Sequence, residues 1–192
     1  MPASGQKMRR PLPVCGERGS SLAEFAIALP LLVVLVVGIF DFAAAFNLKQ
    51  ELNNAVREGA QFAARQPSND LLNSGTPATV DAVRSLVSSY LLAANINDCG
   101  LGTGTAAPAG FTWIYVVSGN GCPGSLRLEI HRGVTSAETI SGDPNTFNFV
   151  CTTVRILYPY QWHFNSVIQL IVPGANYGLT NIQTEATAVN FD

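Results

Sequence analysis

The chain has 192 residues, room for one ordinary domain or for a small domain plus a membrane segment, and too few for a two-domain enzyme of usual size. Only 12% of it is charged while 47% is apolar, which excludes a disordered chain and a nucleic-acid binder driven by bulk basicity. The formal charge of -2 hides an asymmetry: residues 1–19 carry four basic side chains and one acidic, a net of +3, and the other 173 residues carry seven basic and twelve acidic, a net of -5.

After the basic segment comes an apolar run. Phe25 to Phe40 are sixteen residues with no polar side chain, and Asp41 is the only charge between Phe25 and Phe46. Those twenty-two residues span roughly 33 Å as a helix, close to the ~30 Å hydrocarbon core of a bilayer. A run apolar on every face predicts one membrane crossing rather than a buried helix of a soluble protein. Arg and Lys cluster before it and only Lys49 lies just after it. The amino terminus is therefore expected on the cytoplasmic side and residues 47–192 outside.

Helical periodicity continues beyond the apolar run. Leu48, Leu52, Val56, Ala60 and Ala63 recur at three- and four-residue spacing, with Lys49, Asn53, Arg57, Gln61 and Arg65 as the polar row beside them. Pro67 ends the pattern. The spacing predicts a single helix over residues 20–66, a membrane crossing prolonged as an amphipathic stalk, with Pro30 and Gly38 as places for a bend.

A single-crossing chain of this polarity is an uncleaved anchor, a secreted protein with an ordinary signal peptide, or a prepilin. Ala43-Ala44-Ala45 satisfies the small-residue rule for cleavage before Phe46. Against that stand Glu24 at the start of the apolar run, the length of the run, and the helical pattern that passes straight through Ala45. The junction reads Arg18-Gly19-Ser20-Ser21-Leu22-Ala23-Glu24-Phe25: a basic residue, a glycine, and a glutamate five positions after the glycine. This resembles the class III signal of type IV pilins and pseudopilins, in which a membrane-embedded prepilin peptidase cuts after the glycine. The resemblance implies cleavage between Gly19 and Ser20, with residues 1–19 as leader and Glu24 as the fifth mature residue. Glycine suits such a bond because it leaves the backbone unobstructed.

The stretch Ser21-Leu22-Ala23-Glu24-Phe25-Ala26-Ile27-Ala28-Leu29-Pro30-Leu31-Leu32, followed by Gly38-Ile39-Phe40-Asp41-Phe42 and by Asn54 to Ala60, with Ala63-Ala64-Arg65 at the end, resembles the TadE-like pseudopilins of bacterial tight-adherence, Flp-type pilus systems. The likeness covers residues 18–66. An acidic side chain within lipid needs a partner. The amine created at Ser20, cationic with an ordinary pKa near ~8, lies four residues from Glu24; the resemblance favours pairing with a neighbouring subunit's amine. In the precursor, Glu24 is expected at the membrane surface near the helix amino terminus. Asp41 is expected at the outer interface, solvated or in a subunit contact.

Residues 67–77 are loop-forming, and a second helix is expected from Pro77 to Asn95, with Thr76 as cap and Pro77 as first helical position. Residues 97–110, rich in glycine, are expected to be a flexible connection; their G-x-G-x-G lacks the strand before it that a phosphate loop needs. Phe111 to Ser118 is apolar on both faces, as a central strand would be. Residues 125–132 alternate, and Gly119 to Gly124 is turn chemistry, so the two should form a hairpin. Further strands are expected near 148–158 and 181–191. The order is α+β, compatible with a pilin-like outer domain over residues 67–192.

Cys15 belongs to the leader, leaving Cys99, Cys122 and Cys151; three thiols allow three single bridges. Cys99 with Cys122 is favoured because both fall in glycine-rich loops, which leaves Cys151 as a buried strand residue. His131 and His163 are isolated, without metal-ligand spacing. No nucleophile elbow, zinc-protease or phosphate-loop motif occurs, so no enzyme, no cofactor and no nucleic-acid partner is expected. Tyr158, Tyr160, Trp162 and Phe164 are expected to pack in a core or interface. The sequence thus points to a minor pilin or pseudopilin whose partners are the membrane, a prepilin peptidase and other pilin helices. The alternative is a secreted or anchored envelope binding protein.

Overall fold

The computed structural model describes residues 18–72, 75–139, 146–174 and 178–190. The predicted leader lies outside them except for Arg18 and Gly19, and so does Phe191 at the end of the last predicted strand. The fold is α+β. Helix α1 (Arg18–Ala64) is followed by α2 (Ala78–Ala93), a short 3-10 turn (Leu101–Thr103), strands β1 (Ala106–Ala109), β2 (Thr112–Val117), β3 (Leu126–Thr139) and β4 (Thr146–Gln161), helix α3 (Phe164–Ile171) and β5 (Leu179–Val189). The strands form one antiparallel sheet in the order β1-β2-β3-β4-β5, every neighbour being next in sequence.

Helix α1 is continuous through Pro30 and Gly38. Its inner half is not covered by the domain: every residue from Ser21 to Val33 is exposed. Its outer half is built into the domain, with Leu52, Ala55, Val56, Ala60 and Ala63 buried against α2 and the sheet. The predicted apolar row is the buried one apart from Leu48, which is half-buried, and in the polar row Asn53 accepts a hydrogen bond from Thr184 of β5 at 3.1 Å. Gly59 marks the closest approach, where a Cβ would sit 3.0 Å from Val87 of α2 and 3.6 Å from Val154 of β4.

The sheet buries one face. Trp113 and Tyr115 of β2, Leu126, Leu128 and Ile130 of β3, and Val154 and Ile156 of β4 point inward. The opposite face carries Glu129, Arg155 and Glu185 side by side in register. Strand β2 is a central strand, as expected, flanked by β1 and β3, and one of its faces is open, with Val116 58% exposed. Two expectations are corrected here. Pro77 occupies the cap position of α2 rather than its first turn, and Thr76 gives no cap; the Asp70 carboxylate instead accepts the N–H and the hydroxyl of Thr79 at 3.0 and 2.9 Å. Asn95, in the left-handed region at φ 57, closes that helix two residues past its end.

The second correction concerns residues 97–110, which are an ordered motif rather than a flexible connection. Cys99 and Cys122 are joined by a disulfide with Cα atoms 5.4 Å apart. The buried Asp98 carboxylate accepts hydrogen bonds from the Ser88 hydroxyl at 2.7 Å, the N–H groups of Gly100 and Gly102 at 3.0 Å each, and the Asn120 amide at 3.3 Å. The segment's second half is β1, an edge strand on which Pro108 is tolerated because one side of the strand needs no donor.

Candidate functional site

The sequence places its candidates at the two ends of the apolar stretch of α1. At the inner end, the Gly19–Ser20 bond lies within the first turn of the helix. Glu24 and Phe25 are on its exposed surface, Phe25 at 62%. Pro30 lacks the N–H that would close the preceding turn, yet the helix runs on through it. From Phe25 to Phe40 this half of α1 carries no polar side chain, and α1 is the one described helix long and apolar enough to cross a membrane.

At the outer end the arrangement differs from the solvated Asp41 expected from sequence. Asp41 is 4% exposed and held within its own chain. Its Oδ2 accepts the Phe164 N–H at 2.8 Å, and its Oδ1 accepts the Tyr160 hydroxyl at 2.8 Å and faces His163 Nδ1 at 3.2 Å. Tyr160 is the last residue but one of β4 and Phe164 begins α3. The carboxylate therefore serves as a cap for a helix that offers no side-chain cap of its own. Burial, and then the hydrogen bond to Asp41, push the Tyr160 hydroxyl up to about 12, so it remains a donor at neutral pH. What brings Asp41 here is the length of β4, which carries Tyr160 to the level at which α1 leaves its apolar stretch.

The four aromatic residues separate into two roles. Tyr158 points into the core and donates to the Asn97 carbonyl at 3.0 Å. Trp162 packs against Phe42 of α1, Tyr160 and Phe164, with ring centroids 5.1, 5.0 and 5.4 Å away. Beside it an apolar groove of about 480 Å3 opens between Phe42, Phe46, Lys49, Trp162 and Ile182.

The buried polar residues that no motif in the sequence singles out include Arg84, Asp98 and Arg132. Asp98, in the disulfide motif, would be raised by burial, but its four hydrogen bonds hold its pKa below the ordinary 3.8. Arg132 is fully buried at a register shift in β3. It donates to the carbonyls of Gln66 and Pro67 at 2.8 and 3.3 Å and to the Thr79 hydroxyl at 2.9 Å. A guanidinium there satisfies the carbonyls of two residues just past the end of α1, where the negative end of the helix dipole also favours a cation. The only hint in the sequence is that Arg132 shares the inward parity of Leu126, Leu128 and Ile130. Cys151 is buried and free.

Elsewhere the polar groups engage one another. On the open sheet face Arg127 pairs with Glu129 at 2.6 Å, and Arg155 pairs with Glu185 at 3.1 Å and Glu129 at 3.7 Å. Among the described residues no group of three or more His, Cys, Asp or Glu side chains is arranged to hold a metal ion. His131 lies on the open face and His163 at Asp41, so the two do not meet.

A family model described as TadE-like protein matches residues 19–61, from the glycine of the junction into the buried half of α1. No curated protein and no solved structure matches the chain. The similarity to that family is confined to the long helix and reaches neither α2 nor the sheet nor α3.

Proposed function

We propose that the chain is a minor pilin or pseudopilin of a bacterial tight-adherence, Flp-type pilus system, a non-enzymatic subunit anchored in the inner membrane by α1. The observation that carries this reading is the division of one unbroken helix into a bare apolar half and a half built into a folded domain. The TadE-like match over that same helix supports it. Residues 21–40 span roughly 30 Å, the thickness of a bilayer core, and place Asp41 at its outer boundary. The positive flank at the amino terminus supports an orientation with the outer domain outside the cytoplasm.

In this reading a prepilin peptidase cuts between Gly19 and Ser20 after unwinding the first turn, which glycine makes easy. The new Ser20 amine and Glu24 then supply opposite charges through which neighbouring helices set their register. The alternative, cleavage before Phe46 as in a secreted protein, would detach Asp41 from Tyr160 and Phe164 and cut α1 just before its buried row. The intact helix therefore weighs against the secreted form of the alternative, and the mature amino terminus separates the pseudopilin from an uncleaved anchor.

Amino-terminal sequencing of the protein from cells with and without the peptidase tests the reading. Ser20 as the first residue supports it. Phe46, or an unprocessed chain in cells that contain the peptidase, overturns it. Gly19→Leu should leave the precursor uncut.

A further inference from the structure

One face of α1 begins to be covered before the apolar stretch ends. Val34, Val37 and Gly38 are half-buried and Asp41 and Ala45 buried, at spacings that put all five on one side of the helix. Helix α3 packs on α1 and is fastened to Asp41 at its first residue. Seven residues separate Val34 from Asp41, about 10 Å along the axis, so the cover descends below the level at which the crossing ends.

The segment that provides it has the composition of a membrane element. From Ile156 to Thr184 the chain contains no Asp, Glu, Lys or Arg, and α3 itself reads Phe-Asn-Ser-Val-Ile-Gln-Leu-Ile. Around it Phe42, Phe46, Val172 and Leu179 are each more than half exposed. The Trp162 indole N–H donates to Thr180 at 2.8 Å, so its polar edge is satisfied within the domain while its ring meets Phe42. Lys49 stands at the rim of the groove, one to two turns above. Aromatic rings at the end of an apolar span with a lysine just beyond are the side chains that settle at headgroup level.

We propose that α3, with Phe42, Phe46 and Trp162, is a second membrane contact, lying in the outer interface of the bilayer that α1 crosses and seating the outer domain on lipid. The inference rests on α1 being a membrane crossing. It commits to lipid because Phe42 and Phe46 continue the exposed apolar flank of α1 past the covered Asp41, with the exposed His163 beside Asp41 at the level of the boundary; whatever solvates that flank also meets the patch. A short apolar helix in this position rests about 5–10 Å into the boundary between headgroups and acyl chains, which agrees with the burial of α1 down to Val34.

The test uses the full chain in vesicles of phosphatidylethanolamine and phosphatidylglycerol that contain phospholipid brominated high in the acyl chain. The protein has two tryptophans, and Trp113 is 2% exposed inside the core, so wild type minus Trp162→Phe isolates the Trp162 emission. Loss of most of that emission to the bromines, with little quenching by acrylamide, is the expected result. Flotation of the chain with the vesicles reports on α1 independently. A chain that floats while Trp162 stays unquenched by bromine overturns this inference alone; one that does not float overturns the crossing as well. Acrylamide protection that appears only at high protein-to-lipid ratio, without bromine quenching, would assign the patch to a second copy and overturn the assignment to lipid.

Discussion

The Asp41 carboxylate accepts the N–H of Phe164 at 2.8 Å across 123 residues of sequence. The bond ties the outer end of the apolar stretch to the start of α3 and fixes where the domain sits along α1. Asp41→Ala would leave the Phe164 N–H and the Tyr160 hydroxyl without this acceptor, a loss of about 1–3 kcal/mol. Hydrogen exchange should show the first amides of α3 opening faster, while the Cys99–Cys122 end of the domain keeps its protection. Tyr160→Phe, which leaves the α3 cap in place, should have the smaller effect.

Arg132 plays the corresponding part at the far end of α1, with Gln66 and Pro67 as acceptors. Arg132→Met retains volume but leaves the Gln66 and Pro67 carbonyls and the Thr79 hydroxyl without this donor, at a cost again of about 1–3 kcal/mol. Chemical denaturation of the outer domain in detergent should show a lower midpoint. Arg132→Lys should recover part of the loss, since an ammonium can satisfy one carbonyl but not the whole fork.

These two residues show what the sequence could and could not reveal. Helix α1, its buried row and the β2–β3 hairpin were legible because each rests on local periodicity. Asp41 and Arg132 were legible as anomalies, a charge in an apolar run and a charge of inward parity. Their partners lie 123 and 66 residues away and are set by how far the strands extend. Helix α3 has only eight residues, too few for a helical period to stand out. Residues 97–110 looked flexible because glycine-rich loops usually are, and the Asp98 hydrogen bonds that organise them form only once Ser88 and Asn120 are brought near.

Asp98 gives the outer domain an acid-sensitive element. Its pKa is held below the ordinary 3.8 in the folded chain, so its ionised form is bound more strongly there than in the unfolded chain. The stabilisation is complete above about pH 4 and declines as pH falls through the lower folded value. Thermal unfolding followed in acid should show this decline in wild type. Asp98→Asn should be less stable at neutral pH and flatter over that range.

The bridge between Cys99 and Cys122 closes a loop over a separation of 23 residues. Chain-entropy arguments give such a loop about 3 kcal/mol. Paired Cys99→Ser and Cys122→Ser substitutions should lower the unfolding midpoint accordingly and release the Asp98 motif first. In the chain processed at Ser20, an alkylating reagent should label no cysteine while the protein is folded, and Cys151 alone after unfolding without reductant.

Gly59 tests the packing that lets α1 serve both as stalk and as core. A Cβ there would lie 3.0 Å from Val87 Cγ2, with Val154 and Val83 also close at 3.6 and 3.7 Å, so three branched side chains from two elements converge on one position. Gly59→Ala sets a helix-propensity gain of about 1 kcal/mol against that contact and should come out near neutral or mildly destabilising. Gly59→Val adds two methyl groups with nowhere to go and should cost about 1–3 kcal/mol through overpacking. Since Gly59 faces inward and lies far from Gly19, processing at the amino terminus should continue at the wild-type rate in both variants. A denaturation midpoint that falls while cleavage is unchanged would separate the role of the stalk in holding the domain from the role of the inner helix in presenting the junction.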